Sequence, residues 1–307
     1  MDYKYALSTQ PQDSGKSKNK RKLSSIYMFE YLKYEWKNKH YFLVISLFIP
    51  AIIMDFCFFP FFILCHAVMI ALTLSRSGEK SFCRILGGKK ILRDEHELYL
   101  RRPFNAVVEK CRRDGLDLPE EITPFIVSSD APFAFAVGRH IVLLSEGMME
   151  LNEPAFQAIV ENQLFRVHKR VPDLIRAVVG SNLITVFVLI PLILYLRFEK
   201  RYGGYRVGLF GSIHSDSKDA AILLFLITGC AFCACMIWLS LIQSASKNSI
   251  FDADEYTCRC GHGEYLIWYL DNLEDSGLPL TYKLAKQILP GKDLRISRIQ
   301  RMCRMAA

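Results

Sequence analysis

The sequence predicts a mostly α membrane protein: four transmembrane helices in two hairpins, with a cytosolic α+β domain. Three observations lead there. Apolar runs occupy residues 41–74 and much of 177–242, with a long charged and mixed stretch between them. Apolar residues make up 51% of the 307 positions against 23% charged, which excludes a disordered chain or an acidic solvating tail. The 39 Lys and Arg outnumber the 31 Asp and Glu to leave +8, and the excess lies along the flanks of the apolar runs rather than in a clustered nucleic-acid motif. A lipid bilayer is therefore an expected partner and nucleic acid is not. The ten cysteines do not change this, because Cys57, Cys65, Cys230, Cys233 and Cys235 lie inside apolar runs, unlike the framework of a small secreted domain.

Residues 1–40 form a polar basic tail and an aromatic juxtamembrane segment. Lys16, Lys18, Lys20, Arg21 and Lys22 read as a solvated charge run, with anionic lipid as the alternative partner. Tyr27, Phe29, Tyr31, Tyr34 and Trp36 among lysines suit the headgroup zone, since their rings have an apolar body and a polar edge. Residues 41–75 form the first hairpin. At about 1.5 Å per residue the run is too long for one crossing of a core about 30 Å thick, and its one formal charge, Asp55, falls near the turn. Pro50 and Pro60 mark kinks, and Asp55 or His66 would be functional if held inside the membrane. Residues 177–242 form the second hairpin, with spans at 177–196 and 221–242. Basic residues before position 41, between 75 and 176 and after 243 place both termini in the cytoplasm, although the loop at 197–219 also carries five. The first apolar run begins too deep for a cleavable signal peptide.

Residues 76–176 read as a soluble insert. A helical pattern covers 100–116, Pro119 and Pro124 punctuate a loop, and Phe125–Val127 and His140–Leu144 are apolar and β-branched enough to be strands. A helix opens at Asn152, which can cap it, with Pro154 tolerated in the first turn. Phe156, Ile159, Val160, Leu164 and Val167 then recur at helical spacing.

Several motifs around this helix fall in a specific order. Phe133-Ala134-Phe135-Ala136-Val137-Gly138-Arg139 stands before a second strand, and Asn162-Gln163-Leu164-Phe165-Arg166 lies on the helix. Ile250-Phe251-Asp252-Ala253-Asp254 follows the second apolar pair, Cys260-Gly261-His262-Gly263-Glu264 resembles a helix end and glycine turn, and Pro290, Arg295 and Ile296 come near the end. In this the chain resembles the HtpX-like and CAAX prenyl protease-like integral-membrane zinc metallopeptidases, metallopeptidase family forty-eight. The resemblance implies a zincin-like domain built from residues 76–176 and a C-terminal helical part, 243–307, in a multi-pass protein of a bacterial cytoplasmic membrane.

In that family N-A-F-A-x-G-R precedes a helix carrying H-E-x-x-H, in which two His one turn apart hold zinc and the Glu takes a proton from water. Here Asn162 and Arg166 occupy the two His positions and Gln163 that of the Glu. Ile250 takes the place of the third ligand, a Glu, while Phe251, Ala253 and Asp254 match the family pattern. An amide, a guanidinium and an alkyl side chain replace three metal ligands, and a second amide replaces the base.

Other residues do not rebuild the site. His168 lies some 200° around the helix from Arg166. Cys258, Cys260 and His262 offer zinc-type donors but only three of them, past the site. His96-Glu97 lacks a second His at the required offset, and no G-x-S-x-G or phosphate-binding glycine loop occurs.

The expected function is therefore that of a membrane metallopeptidase homologue without catalysis, a pseudoprotease that binds or regulates polypeptides. The resemblance assigns the polypeptide-binding edge to Phe133, Ala134, Phe135, Ala136, Val137, Gly138 and Arg139, where an extended partner would add a strand. The partner is an extended polypeptide or another membrane protein, and no cofactor is expected. Arg166 is expected to supply the positive charge of the missing ion and to pair with Asp254. The alternatives are an active zinc metalloendopeptidase with non-standard ligands, which would need zinc, and a structural membrane subunit.

Overall fold

The computed structural model describes residues 25–38, 62–91, 93–180, 247–273 and 290–306, together with isolated positions between them. Three short strands form its sheet: β1 (Thr123–Val127), β2 (Ala134–Ala136) and β3 (Ile141–Ser145), in the order β1-β3-β2. The central strand is β3, and every residue of it is buried. This is why it reads as a continuous apolar run rather than an alternating one. It pairs parallel with β1, Thr123 opposite Ile141, and antiparallel with β2, Ala134 opposite Leu144. β2 is thus an outer strand, the placement that strand addition requires.

The helix expected after Asn152 is Glu153–His168. The Asn152 side chain caps it by accepting from the Ala155 N–H at 3.0 Å, and Pro154 sits in the first turn, where no hydrogen bond is lost. The helix is buried on almost every face, polar positions included, so it threads the core rather than lying on it. The expected 100–116 helix is Arg102–Arg113, preceded by a π-helical turn at Glu97–Arg101 that its periodicity did not reveal. Phe104 and Val107 from this helix, Val142 and Leu144 from β3, and Ile159 and Leu164 form one cluster with Leu266, Leu270 and Ile299. The last three come from the helices Gly263–Asn272 and Lys292–Ala306, so segments on either side of the second apolar pair complete a single core.

The helical residues 247–259 end in a Schellman turn. Gly261, at φ +86°, donates to the Cys258 carbonyl at 3.0 Å, and His262 donates to that of Thr257 at 3.1 Å. This turn delivers His262 to the central helix.

None of the four expected transmembrane helices is found among the described residues. Among the described residues no helix is long and apolar enough to cross a membrane. In the first expected hairpin, the helix Phe62–Thr73 is apolar but has 12 residues, about 18 Å at 1.5 Å per residue, well short of a hydrocarbon core about 30 Å thick. Asp55, expected near the turn, is itself helical and accepts from the Ile63 N–H at 3.2 Å. In the second, residues 171–180 are helical but carry the buried Asp173 and Arg176, and most of 181–246 lies outside the described residues. Apolar composition revealed the runs, but not how much of each becomes continuous helix.

A buried ionic cluster fixes the turn between β2 and β3. Glu79 accepts from the Arg139 N–H at 2.8 Å, faces His140 Nδ1 at 3.2 Å and pairs with Arg176 at 3.0 Å. Arg176 also reaches Asp173 at 2.7 Å and the Thr73 carbonyl at 2.8 Å. Gly138 is required beside it: a Cβ there would stand 2.4 Å from Glu79 Oε1 and 2.8 Å from Arg176 Cζ. Gly138 and Arg139, expected as part of a binding edge, thus anchor the strand from behind.

Candidate functional site

The central helix presents Asn162, Gln163 and Arg166 toward the C-terminal helices. Positions 162 and 166 are one turn apart and share a face. These three residues and Ile250 line a single cavity of about 50 Å³, with apolar walls from Ile159, Leu266 and Leu270. Arg295 and Lys292 of the terminal helix line it too. The four positions that the resemblance singles out are therefore brought together, although Ile250 is 88 residues from Asn162 in sequence.

Asn162 is buried and donates through Nδ2 to Asp254 Oδ1 at 2.9 Å. The charge that meets Asp254 is not that of Arg166, as expected, but that of Arg295. Its Nη2 lies 2.6 Å from Oδ1 and its Nε 2.9 Å from Oδ2, a two-point pairing of planar groups. Arg166, only 4% exposed, instead donates through Nη1 to Gln163 Oε1 at 3.3 Å. Arg295 approaches from the terminal helix Lys292–Ala306. Arg295 stood in a motif the sequence singled out, but its partner was not evident there.

Gln163 connects this face to the sheet. The Phe133 carbonyl accepts from Ser145 N–H at 3.0 Å and the Val137 N–H donates to the Ile141 carbonyl at 3.0 Å, so these residues turn their main-chain groups toward β3. By strand alternation Ala134 and Ala136 turn theirs outward. The Ala136 N–H donates to Gln163 Oε1 at 3.3 Å. The side chain at the expected base position thus caps one donor of the outer edge. Phe133, Ala134, Ala136 and Val137 are buried, and Phe135 is half-buried.

The donor set does not fit a zinc ion. Asn162 is engaged by Asp254, Gln163 directs its oxygen to a main-chain N–H, Arg166 brings a permanent positive charge, and Ile250 has no donor atom. Among the described residues no group of three or more His, Cys, Asp or Glu is placed to hold a metal.

Alternative donors are dispersed. His168 Nδ1 accepts from the Asp117 N–H at 3.0 Å, and His96 faces Glu146 at 3.4 Å. His262 Nδ1 lies 2.8 Å from Glu161, whose other oxygen pairs with Lys110 at 2.8 Å. Burial, reinforced by neighbouring Cys303, pushes the Cys258 thiol up to about 12, and burial does the same for Cys111. Both are protonated at neutral pH and are poor nucleophiles.

Neither a protein-family profile nor a curated protein sequence matches the chain. Among solved structures, the crystal structure of S. mikatae Ste24p is similar to it, with a TM-score of 0.46 and 14% identity over 89% of this chain. The match spans 65% of that chain's length. A likeness this slight carries no argument, and the functional reading rests on the residues themselves.

Proposed function

We propose that the chain is a non-catalytic homologue of membrane zinc endopeptidases that holds an extended polypeptide along the outer edge of β2. One observation carries the reading: Asn162, Gln163, Arg166 and Ile250 line one cavity directly beside that edge, and none of them offers the metal ligand or carboxylate base expected there. A polypeptide paired with Ala134 and Ala136 gains main-chain hydrogen bonds, while the cavity receives a side chain.

Membrane association is part of the proposal. Ile63, Leu64, Val68 and Leu72 of the Phe62–Thr73 helix are exposed, and a contiguous apolar face of this kind suits lipid or another membrane protein.

The test combines three measurements on the purified full-length chain: zinc content, cleavage of internally quenched peptides, and anisotropy of labelled peptides. Peptide that binds and emerges uncut is the expected result. Stoichiometric zinc, lost on chelation together with cleavage, would instead establish an active peptidase. Neither binding nor cleavage would leave a structural subunit.

A further inference from the structure

The terminal helix Lys292–Ala306 has an inner side that packs and an outer side that is left bare. Inside, Ile299 is buried, and Ile296, Met302 and Cys303 pack against the core. Outside, Leu294 and Met305 are 49% and 74% exposed, and Arg298, Arg301 and Arg304 are exposed with them. At about 100° per residue, Leu294, Arg298, Arg301 and Met305 fall within about 60° of one another, and Arg304 lies about 60° beyond Arg301. No described carboxylate pairs with these three arginines, and the helix's own acid, Asp293, lies in its first turn. Arg298 instead stands over the Phe251 ring at 4.5 Å, and the exposed Lys247 reaches that ring at 6.0 Å from the 247–259 helix. Cations of two helices thus meet at one ring.

We infer that this stripe docks on the headgroups of an anionic lipid bilayer. The inference rests on the membrane-association part of the reading above and specifies the lipid chemistry recognised. Arg298 to Arg304 spans about 9 Å of helix axis and about 120° around it, so the three guanidinium groups do not close on one free phosphate. They suit an array of phosphate and carboxylate oxygens, which a planar fork engages at two points. Leu294 and Met305 decide between arrays. Set among the arginines, they would be desolvated against a nucleic acid with little gain, whereas a bilayer surface offers anionic oxygens and apolar chains in one layer. Long arginine stems keep their charges at the headgroups while Leu294 and Met305 enter more deeply.

Hydrogen exchange of the terminal helix tests this on the full-length chain reconstituted in nanodiscs, one set of phosphatidylcholine and one with about 30% phosphatidylserine. Docking opposes local opening, so amides of the 292–306 segment should exchange about tenfold more slowly in the anionic discs. The difference should vanish at about 0.5 M salt, where charges are screened within a few ångströms. Arg301→Gln with Arg304→Gln should reduce it to about twofold or less, since each basic residue near an anionic surface contributes about fivefold in affinity. That pair leaves the Arg298–Phe251 contact in place, and unchanged exchange in the neutral discs shows that the helix still folds. Equal exchange of the unaltered chain in the two discs overturns the headgroup assignment while membrane association stands. Slowing by added polyglutamate but not by phosphatidylserine also overturns it, in favour of an acidic polypeptide. A chain that enters neither disc overturns both.

Discussion

Asp254 accepts both Nε and Nη2 of Arg295, at 2.9 and 2.6 Å, and still receives Asn162 Nδ2 at 2.9 Å. It ties the central helix, the 247–259 helix and the terminal helix together at one carboxylate. Because Asp254 is fully buried, loss of its charge leaves Arg295 without its partner in a largely dry setting. Asp254→Asn should lower the unfolding free energy by about 3 kcal/mol. A double-mutant cycle in denaturant should give a coupling of about 2 kcal/mol between Asp254 and Arg295 and under about 0.5 kcal/mol between Asp254 and Arg166. The reverse order would restore the pairing that the sequence suggested.

Glu79 makes acid stability sensitive to a second cluster. Burial alone would raise its pKa, but the hydrogen bond from His140 and the Arg176 charge outweigh burial, and the carboxyl lies below its ordinary 4.5. A group whose folded pKa is depressed contributes stability above its unfolded value and loses it as pH falls through the folded one. The facing groups are His140, Arg139 and Arg176, with Asp173 beyond. Denaturant midpoints should therefore fall as pH drops from about 4.5 downward, and Glu79→Gln should lower stability at pH 7 and flatten that part of the profile. A variant with an unchanged acid slope would show that another carboxylate governs it.

The sequence made the core visible where a residue's neighbours act through periodicity or local chemistry. Asn152 with Pro154 marked the start of the central helix, and the apolar run at Ile141–Leu144 marked the buried strand. The four positions of the candidate site were legible only through the resemblance to a metallopeptidase motif, since nothing in their own chemical types suggests a metal. What the sequence did not show was set by tertiary contact. Arg295 pairs with Asp254 across a helix pair, and Gly138 is required by Glu79 and Arg176, which lie far from it in the chain. Among the described residues the expected spans are not found, because hydropathy measures transfer to lipid and not helix length, which is twelve residues at Phe62–Thr73.

Packing at the C-terminal helix pair offers a test independent of charge. A Cβ at Gly263 would lie 2.6 Å from Cys303 Sγ and 3.0 Å from Cys258 Sγ. Cysteine side chains are short and both sit between helices, so neither sulfur moves aside freely. Gly263→Ala should lower stability by about 1–2 kcal/mol, and adding Cys303→Ala should recover most of it by vacating the nearer contact. Thermal melts of the single and double variants measure this, and no recovery in the double variant would place the strain elsewhere.

Gln163 separates stability from binding. Its side-chain oxygen receives the Ala136 N–H, which is the same donor an added strand would use. Truncation in Gln163→Ala removes that bond and costs about 1 kcal/mol of stability. It also removes the competitor for the edge, so labelled peptides of uncharged residues should bind roughly fivefold more tightly by anisotropy, a gain of about 1 kcal/mol. Opposite signs in melting and anisotropy distinguish a capped edge from general damage, and loss of both would mean that Gln163 supports the groove instead of occupying it.

Restoring donors at the four positions tests whether they share one coordination sphere. Asn162 and Arg166 are one helical turn apart, and Ile250 lines the same cavity from the facing helix. The combined variant Asn162→His, Gln163→Glu, Arg166→His and Ile250→Glu supplies two imidazoles, a carboxylate ligand and a base. Asp254, which already accepts from the side chain at 162, is placed to accept the N–H of an imidazole there and orient it, as carboxylates around metal-bound histidines do. The variant should retain about one zinc per chain by elemental analysis and melt at a higher temperature with zinc than after chelation, since binding to the folded state alone is stabilising. A folded variant that takes up no zinc would show that the four positions line a common cavity without converging on a common point.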